Sequence, residues 1–366
     1  MGSGRNRGQP IPRNGANQPR LPMQAGAAQA QALPIEIVDS LVEAMVDGME
    51  YGSLVNKVPR PGHDVLTDVV QTLDQISAVR GRPCIAYLGN VVKADRGTSG
   101  VDTTDDLPFQ ELVASVPADQ RKVDVFLSTR GGSGQQIGRF VDCLRNKFDE
   151  VDFLIPSYCM SAGTLFALSG DQIWMTPNAC LGPIDPQVPT SSGRFVPAQA
   201  LLLLVKKLQD EGLDAMQNGQ PVPWTAVRII DTIDKRELGE AITATQYAST
   251  LAAEYLRKYK FRHWLKHAST GEDVTEEHRL LTANAIAAEL ASHDRWKSHG
   301  HAISRDVLFS QTRLQIQHPD EALERAIKRA WAICTWLFEK TNVVKVMASS
   351  VYRYAKIEPP LGEKHA

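Results

Sequence analysis

Residues 150–187 read EVDFLIPSYCMSAGTLFALSGDQIWMTPNACLGPIDPQ, and this stretch decides the fold. Residues 151–155 form an apolar run of strand length. The small-residue step Cys159-Met160-Ser161-Ala162-Gly163 then turns the chain into a helical segment over residues 164–168. Ser161 stands at the bend. A hydroxyl at a strand-to-helix turn is held at the end of a sheet, beside the free N–H groups of a helix N-terminus, where a nucleophile is useful. The same position also suits a serine that only caps the helix.

A second unit lies some thirty residues upstream. Residues 122–128 (KVDVFLS) alternate and then run apolar like a strand, and they break at Thr129-Arg130-Gly131-Gly132-Ser133-Gly134. The amphipathic pattern Ile137, Phe140, Val141, Leu144 follows. Paired glycines between a strand and a helix permit positive φ and close approach of another backbone, so their N–H groups can face a ligand. Two such strand-turn-helix units in succession place both turns at the carboxyl ends of neighbouring parallel strands, where open α/β sheets bind ligands.

The pair TRGGSGQQIGRF and PSYCMSAGTLFALSGDQIWMTPNACLGPIDPQ resembles the Clp-like and signal-peptide-peptidase-A-like serine peptidases of crotonase-type fold. Within that group the serine dehydrogenase proteinases are similar in the GPIDPQ segment and in the later RW…HG segment. The resemblance covers roughly residues 83–308. It implies an α/β fold with a mostly parallel sheet wound with helices. It also implies Ser161 as nucleophile, with the N–H groups of Gly132 and Ala162 as oxyanion hole.

The general base is left open. In Clp-like enzymes a histidine lies close to the segment that reads Gly182-Pro183-Ile184-Asp185-Pro186 here, and this chain has no histidine between His63 and His263. The resemblance supplies two alternatives. Asp294-Arg295-Trp296 is similar to the acid-basic-aromatic run that carries the triad aspartate in Clp-like enzymes, which makes Asp294 the residue orienting a base, and His299 and His301 follow it in a glycine-containing loop. Signal-peptide-peptidase-like enzymes use a Ser-Lys dyad instead, which points to Lys206 or Lys207. Those lysines near a helix end also have a plain electrostatic reason to be there.

Composition narrows the classes. A net charge of -2 with 22% charged residues gives no general attraction to nucleic acid, and 43% hydrophobic residues describe a globular protein. No window approaches ~18 consecutive apolar residues, so no membrane span is expected. The five cysteines (Cys84, Cys143, Cys159, Cys180, Cys334) are scattered, odd in number and without C-x-x-C spacing, which suggests a reducing, cytoplasmic setting. Cys159, two residues before Ser161, reads as packing. His263 and His267 stand at i, i+4 among Arg262, Trp264 and Lys266, a basic helix face more than a metal site. No metal or organic cofactor is implied.

Four regions are expected: a disordered basic tail over residues 1–33, with four arginines and no acids; an N-terminal helical extension over 34–80; a peptidase domain over 81–310; and a C-terminal helical extension over 311–366. The apolar faces at 35–46 and 322–338 would then need a partner surface, so a homo-oligomer is expected. The expected activity is hydrolysis of a peptide or protein substrate by acyl transfer to Ser161, with a separate partner protein as one possible source of substrate. The alternatives are a catalytically silent scaffold of the same fold and a crotonase-type acyl-thioester enzyme.

Overall fold

The structure, a computed structural model, describes residues 62–93, 98–190, 193–267 and 270–358. The expected tail at 1–33 and helix at 35–46 lie outside these residues. In chain order the main elements begin with α1 (Gly62–Arg80), β1 (Cys84–Gly89), α2 (Asp106–Ala114), β2 (Lys122–Ser128), α3 (Gly134–Lys147), β3 (Glu150–Ile155) and β4 (Tyr158–Cys159). Next come α4 (Ala162–Leu168), β5 (Gln172–Met175), β6 (Cys180–Leu181), β7 (Gln187–Pro189), β8 (Phe195–Pro197), α5 (Ala198–Gln217), α6 (Trp224–Thr232) and α7 (Lys235–Tyr255). The chain continues through α8 (Glu276–Ala291), β9 (Ile303–Ser304), α9 (Glu321–Lys340), β10 (Val343–Ala348) and β11 (Arg353–Ile357).

The main sheet has the order β11-β10-β1-β2-β3-β5. β1, β2, β3 and β5 are parallel to one another, and β10 runs antiparallel to both β1 and β11. Successive side chains of a strand point to opposite faces, and here both faces are covered. Val123, Val125 and Leu127 enter a core shared with α2, α3, α4 and α8, whereas Phe126 enters a second core built with α1 and α9. The fold is therefore α/β, with helices on both faces of a mostly parallel sheet.

The second core changes the reading of the chain ends. Val69, Leu73 and Ile76 of α1 meet Ile327, Ile333, Trp336 and Leu337 of α9 in one cluster, so the apolar face at 322–338 finds its partner within the chain. It does not need a second subunit. Residues 343–357, expected as part of a helical extension, instead add two strands to the sheet edge. Lys345 interrupts the apolar run of β10 in the sequence, and its charge is met only in three dimensions, by Asp105. α5 runs on to Gln217 through Gly212, because Leu213, Ala215 and Met216 are strong helix formers that outweigh the glycine. β7 and β8 form a short hairpin in which Val188 pairs with Val196.

At the amino ends of the strands, Asp124 and Asp152 stand side by side in register on β2 and β3. Two buried carboxylates in that position repel. Arg80 and Arg82 clamp them, with Arg80 Nε 2.7 Å and Arg82 Nε 2.8 Å from Asp124. This end is structural, and the carboxyl ends are left for the site.

Candidate active site

Because β2 and β3 are parallel neighbours, their carboxyl-terminal turns lie together. Thr129 bridges Cys159, donating its N–H to Tyr158 O (3.1 Å) and accepting from Met160 N (2.9 Å). The turn at 129–133 is thus stitched to the segment that enters α4.

Ser161 immediately precedes α4, with φ 52 and ψ -117. This is a strained conformation for a residue with a side chain, costing on the order of 1–3 kcal/mol, and such strain persists only where the surroundings enforce it. A serine that merely caps a helix has an extended backbone and a hydroxyl bonded to the second or third N–H of the helix. Ser161 has neither feature. A strained serine between a strand and a helix, its hydroxyl not used as a cap, has the backbone geometry of a nucleophile elbow.

The neighbouring glycines are required by space. Gly131 has φ 104, and a Cβ there would lie 2.7 Å from Ser161 Cβ. Gly132 has φ 134, and a Cβ there would lie 2.3 Å from Val101 O. Among the described residues neither the Gly132 N–H nor the Ala162 N–H has a hydrogen-bond partner in the protein. Gly132 is exposed, and both residues line a cavity of about 1200 Å³ together with Ser161 and His299. Leu165, Ile184, Val188, Phe195, Ala244 and Tyr247 form much of its apolar wall, while Arg130, Arg236 and Glu240 bring charge to it.

His299 and its carboxylate come from distant parts of the chain. β6 and β9 are antiparallel, with Cys180 opposite Ser304 and Leu181 opposite Ile303. The chain leaving β6 therefore runs beside the chain entering β9. Asp185, fully buried, is placed by the Gly-Pro-Ile-Asp-Pro segment and by Ile184 N donating to Leu290 O at 3.0 Å. A carboxylate only accepts, so the Nδ1–H of His299 donates to Asp185 Oδ1 (2.8 Å) and the Nδ1–H of His293 donates to Oδ2 (3.2 Å). His299 Nδ1 is fixed as the donor, which leaves Nε2 with its lone pair.

The carboxylate beside His299 is Asp185 and not Asp294. Asp294 is 77% exposed and pairs with Lys297 at 2.5 Å, which holds its carboxyl below the usual range. It sits on the one-turn helix His293–Trp296, whose Trp296 is buried and whose His293 turns inward to Asp185. Lys206 and Lys207 are exposed on α5 and do not line the cavity, and Lys207 lies 4.0 Å from Glu211. His301 packs its ring against Trp296 at 5.3 Å. Burial pushes the Cys159 thiol well up, as expected of a packing residue.

Sequence reading had Asp185 in hand only as a substitute for a missing histidine. The signal that could have found it was the pair of flanking prolines, which hold an acidic residue in an extended segment just past the Ser161 unit. His293 gave no signal of its own.

The fold and these groups define a class: an α/β protein with a strained serine, two free backbone N–H groups and a His–Asp pair on one cavity at the carboxyl ends of its strands. Residues 106–217 match the family described as ClpP-like SDH-type serine proteinase. The matched segment holds Gly132, Ser161, Ala162 and Asp185, and His299 lies beyond it. The chain is 34% identical over 102 residues to the uncharacterized protein MJ0137 of Methanocaldococcus jannaschii, covering 28% of this chain and 32% of that protein. It is 36% identical over 66 residues to the uncharacterized protein MJ1495 of the same organism, covering 18% of this chain and 23% of that protein. The chain thus spans about a third or less of the length of these relatives.

Among solved structures, a monofunctional enoyl CoA isomerase from M. smegmatis overlaps 58% of this chain and 92% of its own, at 15% identity and a TM-score of 0.23. An enoyl-CoA hydratase from Mycobacterium smegmatis overlaps 58% and 93%, at 16% identity and the same TM-score. A likeness of that size decides nothing about the chemistry. Among the described residues, no helix is long and apolar enough to cross a membrane.

Proposed function

We propose that the protein is a serine peptidase that hydrolyses peptide bonds through an acyl-enzyme on Ser161. The reading is carried by one observation: His299, held at Nδ1 by the buried Asp185, lines the same cavity as the strained Ser161. In this mechanism His299 Nε2 takes the Ser161 proton as Oγ attacks the carbonyl carbon, and the tetrahedral oxyanion is received by the Gly132 and Ala162 N–H groups. His299 then gives the proton to the leaving amine. Water enters by the same route, and the acyl group leaves as a carboxylate. Asp185 keeps the ring in the tautomer that accepts at Nε2 and offsets the imidazolium formed during each transfer.

A fluorophosphonate, which phosphonylates an activated serine, tests this reading. Wild-type protein is expected to be labelled at Ser161, and Ser161→Ala to fold and take no label. Labelling that persists in Ser161→Ala removes the assignment, and a folded wild-type protein that takes no label favours the silent scaffold.

A further inference from the structure

The strap at residues 99–105, between β1 and α2, carries a buried cation network that the mechanism does not use. Lys345 of β10 is fully buried, and its Nζ lies 2.6 Å from both carboxylate oxygens of Asp105, 2.7 Å from Gly100 O and 3.4 Å from Asp102 Oδ2. Asp105 also accepts from the Tyr87 hydroxyl at 2.8 Å and from Asp102 N at 3.0 Å. A fully desolvated lysine is costly to keep unless its partners are well placed. Its partners here all belong to this one strap.

The strap's other side is joined to the glycine turn. Val101 N–H donates to Gly131 O at 2.7 Å, and Ser133 N–H donates to Val101 O at 2.8 Å. The approach is as close as backbones allow, for a Cβ on Gly100 would lie 2.9 Å from Gly131 O. The peptide between Gly131 and Gly132 is planar and trans, so fixing the Gly131 carbonyl toward Val101 fixes the Gly132 N–H in the opposite direction, away from the strap. Without that hold, a peptide flanked by two glycines has a wide choice of orientations. We propose that Lys345 is a positioning residue for the oxyanion hole: by holding Gly100 and Asp105 it fixes the strap, and the strap fixes the direction of the Gly132 N–H.

The proposal rests on the serine-peptidase reading, and the experiment separates the two. Inactivation by a fluorophosphonate is measured as kinact and KI, with turnover of fluorescein-labelled casein alongside. Lys345→Met/Asp105→Leu removes both buried charges together, so neither is left unpaired. Gly100→Ala pushes the strap from Gly131 while leaving the charges in place, and it serves where the double variant does not fold. Each is expected to lower kinact roughly hundredfold, the loss typical of one oxyanion donor, with KI within about twofold. Lys356→Met, which touches Asp102 and Thr104 but not Gly100, is the control and keeps the wild-type kinact. A folded double variant or Gly100→Ala protein with wild-type kinact overturns the proposal. A wild-type protein that takes no label overturns the serine reading, and the proposal with it.

Discussion

Asp185→Asn is the substitution that most directly probes the proposed mechanism. The side chain is fully buried and accepts two N–H donors, from His299 at 2.8 Å and His293 at 3.2 Å. An asparagine of the same size offers one acceptor oxygen and one NH2 group, so it cannot receive both donors. Where the NH2 group faces His299, the ring presents its Nδ1 lone pair and carries its proton on Nε2, the atom that must accept from Ser161. Loss of the orienting carboxylate in a serine triad costs about 10⁴-fold in kcat, or ~5 kcal/mol of barrier. Fluorophosphonate labelling and casein turnover should fall together by that order, with the fold retained as judged by circular dichroism. Asp294→Asn, on the exposed helix turn, should stay within about threefold of wild type. The reasoning fails if Asp185→Asn keeps labelling within tenfold of wild type, or if Asp294→Asn is the variant that loses it.

Three further outcomes follow from the same geometry. Gly131→Ala would place a Cβ 2.7 Å from Ser161 Cβ and 2.8 Å from Met160 O at a positive φ, so labelling should drop at least a hundredfold and the thermal midpoint should fall as well; unchanged labelling would show that the turn does not confine the serine. Lys260 is held down to about 8 by burial, so it is protonated in the unfolded chain but partly not in the folded one between about pH 8 and 10.5. This group therefore adds to folding stability as pH rises from about 8 to 10.5; urea titrations should show wild type gaining stability over that window relative to Lys260→Met, and parallel curves for the two would argue against the shift. We also propose that a second copy of the chain covers α5 and α6, where Leu213, Met216, Trp224 and Val227 are exposed; light scattering at micromolar concentration should exceed the 40.3 kDa monomer mass, and the monomer value would argue against it.

Local sequence carried much of the fold and half of the site. The strand spans 122–128 and 151–155 are legible because period and apolar run are properties of a few consecutive residues, and the turns at Gly131-Gly132 and Ser161 are legible because small residues mark where the backbone must bend or be approached. Those turns share one cavity because parallel neighbouring strands end together, a consequence of the strand-turn-helix repeat that the sequence already contains. The partnership of Asp185 with His299 is of another kind. It joins residues 114 apart through the antiparallel pairing of two-residue strands, and two residues are too few to carry a periodic signal. The same holds for Lys345 and Asp105, 240 residues apart, whose charges meet only where β10 passes the strap before α2. The chain itself determined which residues could do chemistry at a turn. Only the tertiary structure decided which acid serves which histidine, because a buried carboxylate takes whatever donors the packing of distant segments delivers to it.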